Sequence, residues 1–87
     1  MTMRVSVISP ERMLFEGTAS SLVAPAFDGE VGVLPRHAPL VTLLGRGVLR
    51  LEGVEGGGAK RFEVAGGFLQ VADDVVRVVA ETARAVA

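Results

Sequence analysis

The chain has 87 residues, of which 49% are hydrophobic and 22% are charged, and its formal net charge is −1. This composition is typical of a soluble folded chain and excludes a disordered one, so we treat residues 1–87 as a single domain. The sequence has no cysteine and one histidine, His37. Disulfides are therefore excluded, and too few ligands are present for a structural zinc site.

Three further features limit the location and the partners. The longest uncharged stretch, residues 17–27, is much shorter than the ~20 apolar residues that cross a bilayer. The first residues lack the apolar core of a signal peptide, so we expect a location on the cytosolic side of any membrane and no membrane insertion. With one lysine and no tryptophan or tyrosine, the chain lacks the basic face and stacking aromatic residues of a nucleic-acid-binding domain.

Alternating apolar residues predict β-strands along most of the chain. Fifteen valines favour extended backbone. The alternation begins at Val5 and Val7 and returns in segments 49–52, 61–64 and 76–81. Residues 82–87 are the only segment that would suit a helix, and they are too few to form one alone.

Turn residues separate these segments. Two of the turn signals predict hairpins and one, at Gly66-Gly67, predicts a bend. In chain order they are Asp28-Gly29, Gly45-Arg46-Gly47, the hairpin tip Gly56-Gly57-Gly58, Gly66-Gly67, and the hairpin turn Asp73-Asp74. Eight to ten short strands at this spacing predict an all-β sandwich or barrel.

No motif for catalysis by this chain is present. The sequence lacks a phosphate-binding Gly-x-x-x-x-Gly-Lys-Ser/Thr, a dinucleotide-binding Gly-x-Gly-x-x-Gly and a Gly-x-Ser-x-Gly nucleophile motif. His37 could in principle belong to a catalytic triad, but its neighbours show no sign of a nucleophile turn. We interpret Asp73-Asp74 as a turn rather than as a pair of catalytic or metal-binding carboxylates.

One segment is unusually constrained. Residues 29–40 read Gly-Glu-Val-Gly-Val-Leu-Pro-Arg-His-Ala-Pro-Leu. Pro35 and Pro39 each hold the preceding residue in an extended conformation. Arg36 and His37 are therefore expected on a rigid loop, with Glu30 at the preceding turn, although a merely solvated surface loop would read the same way.

This segment resembles the Gly-Glu-(Leu/Val)-Gly-(Ile/Val)-x-Pro-x-His-Ala-Pro-Leu signature of the epsilon subunit of F-type ATP synthase. Residues 7–17 are similar to the family's opening Val-Val-Ser-Pro-x-x-x-Leu-Phe-x-Gly. The sequence Gly-Gly-Phe-Leu-Gln-Val, within residues 62–71, resembles its Gly-Gly-Phe-Leu-x-Val strand pair. Residues 78–83 resemble the segment that closes the family's β domain, so the four matches follow the family order over nearly the whole chain.

The resemblance implies a small β-sandwich of about ten short strands in two sheets. It implies a non-catalytic rotor subunit of the central stalk, peripheral to the cytoplasmic face of the bacterial plasma membrane. Such a subunit links the gamma subunit to the membrane c-ring within the alpha, beta, gamma, delta and epsilon complex, and it couples proton transport to ATP synthesis. No cofactor, metal or catalytic residue is expected.

The resemblance also implies which residues meet these partners. Glu30 matches the glutamate that faces the c-ring loops, and His37 the histidine near the junction of ring and gamma, while Arg36 lies beside it. Local hydrogen bonding that only holds the loop remains the alternative role for His37. We expect the gamma contact to be an exposed apolar face around Met13 and Phe15 and around segment 40–44, chiefly Leu40 and Leu43.

Family members usually continue into a C-terminal helical hairpin, which carries inhibition and, in some members, a regulatory ATP site. Because the sequence ends at Ala87, we expect this chain neither to inhibit hydrolysis nor to bind ATP. Two other classes stay open. One is a biotin or lipoyl carrier domain that would use Lys60, and the other is a stand-alone β-sandwich adaptor.

Overall fold

The computed structural model describes residues 1–86, which form eight β-strands and no helix. Among these residues no helix is therefore long and apolar enough to span a membrane. The strands are β1 (Met3–Ile8), β2 (Met13–Ala19), β3 (Ser21–Ala26), β4 (Gly29–Val33), β5 (Leu40–Leu43), β6 (Gly47–Glu52), β7 (Ala59–Ala72) and β8 (Val75–Val86). The all-β prediction is confirmed, but segment 82–86 belongs to a strand and is not helical.

The eight strands form one hydrogen-bonded sheet in the order β2-β1-β8-β7-β6-β3-β4, with β5 also paired to β7. All the pairs are antiparallel except β1 with β8, which is parallel. The long strands β7 and β8 divide this sheet into two layers. The first layer contains β2, β1, the first half of β8, the second half of β7, and β5; the second contains the remaining halves, β6, β3 and β4.

A bend at Gly66-Gly67 lets β7 pass from one layer to the other. Phe62 and Val64 are buried before the bend, whereas Leu69 and Val71 are buried after it, so the inward-facing positions change from even to odd numbers. Gly67 has φ 98°, and a Cβ atom there would lie 1.9 Å from the carbonyl oxygen of Val79. Only glycine fits this position.

The core lies between the two layers. Val5, Val7, Val76 and Val78 of the first layer are fully buried, as are Leu22, Leu49 and Leu51 of the second. Alternate residues on each strand face this core because successive side chains of a strand point to opposite sides. The rings of Phe15 and Phe62 join the layers at one edge, with their centroids 6.3 Å apart.

The number of strands differs from the sequence-based expectation of about ten. The resemblance implied ten short strands in two sheets, whereas residues 1–86 form eight strands in one continuous sheet. The difference arises because β7 and β8 each run through both layers without a break at Gly66-Gly67. Counting each of these strands once per layer gives ten segments, so the sandwich is the predicted one.

The predicted hairpin turns are present. Gly56-Gly57-Gly58 lies in the connection between β6 and β7, and Asp73-Asp74 forms the two-residue turn between β7 and β8. Asp73 has φ 52° and Asp74 has φ 60°. Positive φ at both central residues is the geometry that matches the twist of a two-residue hairpin.

Candidate partner-binding surfaces

An apolar row crosses the outer face of the first layer. Direct strand partners in a sheet present their side chains on the same face. The registers Leu43↔Phe68, Phe68↔Val79, Val79↔Ile8 and Ile8↔Met13 therefore align five apolar side chains across five neighbouring strands. We call Leu43, Phe68, Val79, Ile8 and Met13 the apolar row.

The apolar row is open to solvent along much of its length. Leu43 is 60% exposed and Met13 51%, at its two ends, and Phe68 is 37% exposed. Phe27 extends the row beyond Leu43, because its N–H donates to the Leu43 carbonyl at 3.0 Å and its side chain is 67% exposed. Contiguous exposed apolar surface of this kind marks an interaction site.

The structure separates the four apolar residues that the sequence singled out. Met13 and Leu43 lie in the apolar row, whereas Phe15 and Leu40 are partly buried and pack against the core. A bulge in the pairing of β1 with β2, between Val7 and Ile8, explains why Met13 and Phe15 face opposite sides of the sheet. It leaves Met13 opposite Ile8 on the outer face and Phe15 opposite the buried Val7.

Arg36 and His37 lie on the connection between β4 and β5, residues 34–39, which we call the proline loop. The His37 N–H donates to the Leu34 carbonyl at 3.1 Å and closes a turn around Pro35 and Arg36. The His37 Nδ1 atom lies 2.7 Å from the Ala38 carbonyl oxygen. Since a carbonyl only accepts, Nδ1 donates this hydrogen bond, and Nε2 has no hydrogen-bond partner among residues 1–86.

Glu30 lies apart from the proline loop. It is exposed on β4, opposite Pro25 of β3, next to the turn that carries Phe27. Three strand residues lie between Glu30 and Leu34, and the four residue steps span about 13 Å of extended backbone. Glu30 and the proline loop are thus two separate polar sites at opposite ends of β4.

The outer face of the second layer carries an ion pair in the equivalent row across β6, β7 and β8. Val48, Glu63 and Arg84 are direct partners across β6, β7 and β8. The Arg84 Nε atom donates to Glu63 Oε1 at 2.8 Å, and both side chains are half-exposed or more. Lys60, the residue of the carrier-domain alternative, is paired with Leu51 within the strand ladder and does not lie at the hairpin tip.

The described part of the chain contains no group of three or more histidine and acidic side chains that could hold a metal ion. It also contains no buried side-chain polar atom without a hydrogen-bond partner.

Sequence reasoning missed several residues of these surfaces. Phe68, Val79 and Ile8 complete the apolar row, and their alignment depends on strand register. Asp74 was identified only as a turn residue, yet its Oδ1 atom accepts a hydrogen bond from the Arg36 N–H at 2.6 Å. The exposure of Phe68 could not be predicted from alternation, because the buried positions change from even to odd numbers at Gly66-Gly67.

The described residues thus form a small β-sandwich with an exposed apolar row on one outer face and polar side chains on its loops. The chain belongs to the family described as ATP synthase, Delta/Epsilon chain, beta-sandwich domain, whose model matches residues 2–86. This agrees with the resemblance seen in the sequence.

Individual relatives carry the name of one subunit. The chain is 50% identical over 84 residues to the ATP synthase epsilon chain of Nitrosococcus oceani, and the alignment covers 97% of this chain and 59% of that relative. It is 46% identical over 79 residues to the ATP synthase epsilon chain of Leptospira borgpetersenii, with coverage of 91% and 61%. The chain thus spans about three fifths of the length of these relatives.

Two solved structures share the fold. One is a chain of the Euglena gracilis mitochondrial ATP synthase, OSCP/F1/c-ring, with a TM-score of 0.87, 26% identity, and coverage of 97% of this chain and 53% of that one. The other is a chain of the Tetrahymena thermophila mitochondrial ATP synthase, central stalk/c-ring, with a TM-score of 0.76 and 18% identity. This second match covers 97% of this chain and 66% of the Tetrahymena chain. At 18% identity it shows a shared fold alone.

Proposed function

We propose that this chain is the sandwich domain of an F-type ATP synthase epsilon subunit, which links the gamma subunit to the c-ring in the rotating central stalk. The observation that carries the proposal is the apolar row across five strands. The subunit itself is non-catalytic. Its role is mechanical: it holds two rotor components together while proton flow drives ATP synthesis.

The apolar row is proposed as the gamma contact. Removing exposed apolar side chains from water is favourable by about 25 cal/mol per Å². Leu43, Phe68 and Met13 would thus stabilise an interface without any conformational change in the sandwich. The core behind them supplies a rigid support, because packed protein interiors resemble crystals in density.

Glu30 is proposed as the c-ring contact. Its carboxylate is exposed and has no hydrogen-bond or ion-pair partner within residues 1–86. Basic and polar side chains of the ring loops would supply such a partner. Arg36 and His37, on the proline loop at the other end of β4, would meet the junction of ring and gamma, with His37 Nε2 free to bind a partner group.

The proposed location follows from these partners. A subunit that binds the c-ring through exposed polar side chains lies at the membrane surface without entering it. We therefore assign the chain to the cytoplasmic face of the bacterial plasma membrane, as a peripheral component of the ATP synthase.

Purification of the chain from its own cells tests the proposal against the adaptor alternative. An affinity-tagged chain should bring down the alpha, beta and gamma subunits and the c-ring in fixed stoichiometry. Recovery of the chain with none of these subunits would contradict the proposal. A mass increment on Lys60 in the purified chain would instead support a carrier domain.

Glu30→Ala in the reassembled enzyme tests the ring contact. We expect ATP-driven proton pumping to fall while the free energy of unfolding of the isolated chain changes by less than about 0.5 kcal/mol, because the side chain is exposed and unpaired. Loss of one partner of a buried interfacial charge pair costs about 2–5 kcal/mol. Normal pumping together with a strongly destabilised chain would show that Glu30 acts within the fold.

A further inference from the structure

The proline loop contains a turn whose third position is strained. The hydrogen bond from the His37 N–H to the Leu34 carbonyl makes Pro35 and Arg36 the two central residues of this turn. Arg36 has φ 68°. A positive φ after proline is typical of a type II turn, in which the second central residue is usually glycine. Arginine at this position needs support from its surroundings.

Asp74 supplies a hydrogen bond at that position. Its Oδ1 atom accepts from the Arg36 N–H at 2.6 Å, and its own carbonyl accepts from the Arg4 N–H at 2.9 Å. One residue of the β7–β8 turn thus contacts both the proline loop and the start of β1. Its neighbour Asp73 has nearly the same φ but makes neither bond.

The two histidine hydrogen bonds cannot replace this contact. Both His37 bonds stay within the proline loop, since they reach only Leu34 and Ala38. Pro35 restricts the backbone of the loop, but it does not fix the loop to the sandwich. In the described part of the chain, the Arg36–Asp74 bond is the hydrogen bond that ties residues 35–38 to another element.

We infer that Asp74 is a positioning residue for the proline loop, which holds Arg36 and His37 in the orientation that a partner subunit meets. The inference rests on the proposed function, because the loop is the contact proposed there with the junction of ring and gamma. Preorganisation is the physical reason. A loop already fixed in its binding conformation loses less entropy when it binds than a loop that must be ordered first.

Matched variants of the turn separate the hydrogen bond from backbone strain. Asp74→Gly and Asp73→Gly both introduce glycine at a positive φ, but only Asp74→Gly removes the acceptor for the Arg36 N–H. Asp74→Asn keeps an oxygen acceptor and tolerates the same backbone conformation. Hydrogen exchange of the Arg36 amide in the isolated chain, and ATP-driven proton pumping by the enzyme reassembled with each variant, are the two measurements.

We expect the Arg36 amide to exchange about tenfold faster in Asp74→Gly, the factor that corresponds to one net hydrogen bond. Pumping should fall severalfold in that variant. Asp73→Gly and Asp74→Asn should exchange and pump like the parent chain. Both glycine variants should remain folded. If Asp74 served only the stability of the fold, pumping would not be lost in the folded Asp74→Gly variant and restored in Asp74→Asn.

Three results would overturn the inference. Unchanged exchange in Asp74→Gly would show that the bond does not hold the loop. If Asp74→Gly exchanges faster but pumps normally, and His37→Ala pumps poorly, then the proline loop makes the contact but Asp74 does not position it. Normal pumping in both Asp74→Gly and His37→Ala would remove the contact itself, and with it this part of the proposed function.

Discussion

The apolar row on the first layer and the row through Glu63 on the second layer are built from direct strand partners in the same way, but their side chains differ in chemistry. On the first layer, five direct strand partners are apolar from Leu43 to Met13. On the second layer, the row from Val48 continues through the ion pair of Glu63 with Arg84. Each face lies over the same core, so the demands of folding do not explain the difference.

The difference supports the proposal that the apolar row is the partner contact. Charged cross-strand pairs such as Glu63–Arg84 keep a sheet face soluble and contribute little to stability. An exposed apolar row that includes Phe68 and Leu43 lowers solubility, since it promotes association with other molecules. The first-layer face is the one that we expect to be covered in the assembled enzyme.

The bend at Gly67 creates both faces, and its loss should have the largest effect. A Cβ atom at Gly67 meets the Val79 carbonyl at 1.9 Å, whereas one at Gly57 meets nothing within 4 Å, although the φ values are 98° and 100°. Gly67→Ala should lower the free energy of unfolding by more than about 4 kcal/mol, and Gly57→Ala by about 1–2 kcal/mol. Chemical denaturation measures both, and equal losses would show that backbone conformation alone, and not the close approach, requires glycine.

Leu43→Lys and Val48→Lys compare the two faces directly. Both residues are exposed on strands, one on each outer face. Leu43→Lys should weaken binding to the gamma subunit by about 10–100-fold, because it places a charge in the apolar contact. Val48→Lys should leave the dissociation constant within about twofold, as expected outside an interface. Equal losses in a binding titration would contradict the assignment of the apolar row to gamma.

Arg36→Gly tests the backbone strain in the proline loop. Glycine removes the cost of a positive φ, about 1–2 kcal/mol, and adds about 0.5–1 kcal/mol of unfolded-state entropy. We expect the free energy of unfolding to rise by about 0.5 kcal/mol, the difference of these terms. A clear fall in thermal stability would mean that the arginine side chain itself stabilises the sandwich.

Glu63→Gln should have the smallest effect. The Glu63 and Arg84 side chains are 50% and 69% exposed. Loss of such an ion pair changes stability by less than about 0.5 kcal/mol, and the change should shrink as salt is added. A loss that is larger and independent of salt would show that the second-layer face depends on this pair for folding.

Much of the fold was accessible from the sequence because alternation and turn residues are local signals. Val5 and Val7, the glycine tip at 56–58 and the Asp73-Asp74 turn lie where the patterns predicted. Residues 82–86 could suit a helix by composition but are too few to form one alone, and they pair with β7 instead. Tertiary pairing routinely overrides such local preferences.

The candidate surfaces were less accessible, because they depend on register. Met13 and Phe15 read alike as apolar residues near a strand, and only the bulge beside Ile8 decides which of them is exposed. Phe68 follows a double glycine that reverses the inward-facing parity. The contact between Asp74 and Arg36 joins residues 38 positions apart, which no local pattern encodes.

Oxidative footprinting of the assembled ATP synthase tests the central claim most directly, namely that the apolar row is covered by a partner. We expect Met13 and Phe68 to react readily in the isolated chain and to become strongly protected in the enzyme, while Val48 keeps its reactivity. Unchanged reactivity of Met13 and Phe68 in the assembled enzyme, or protection confined to Val48, would contradict it.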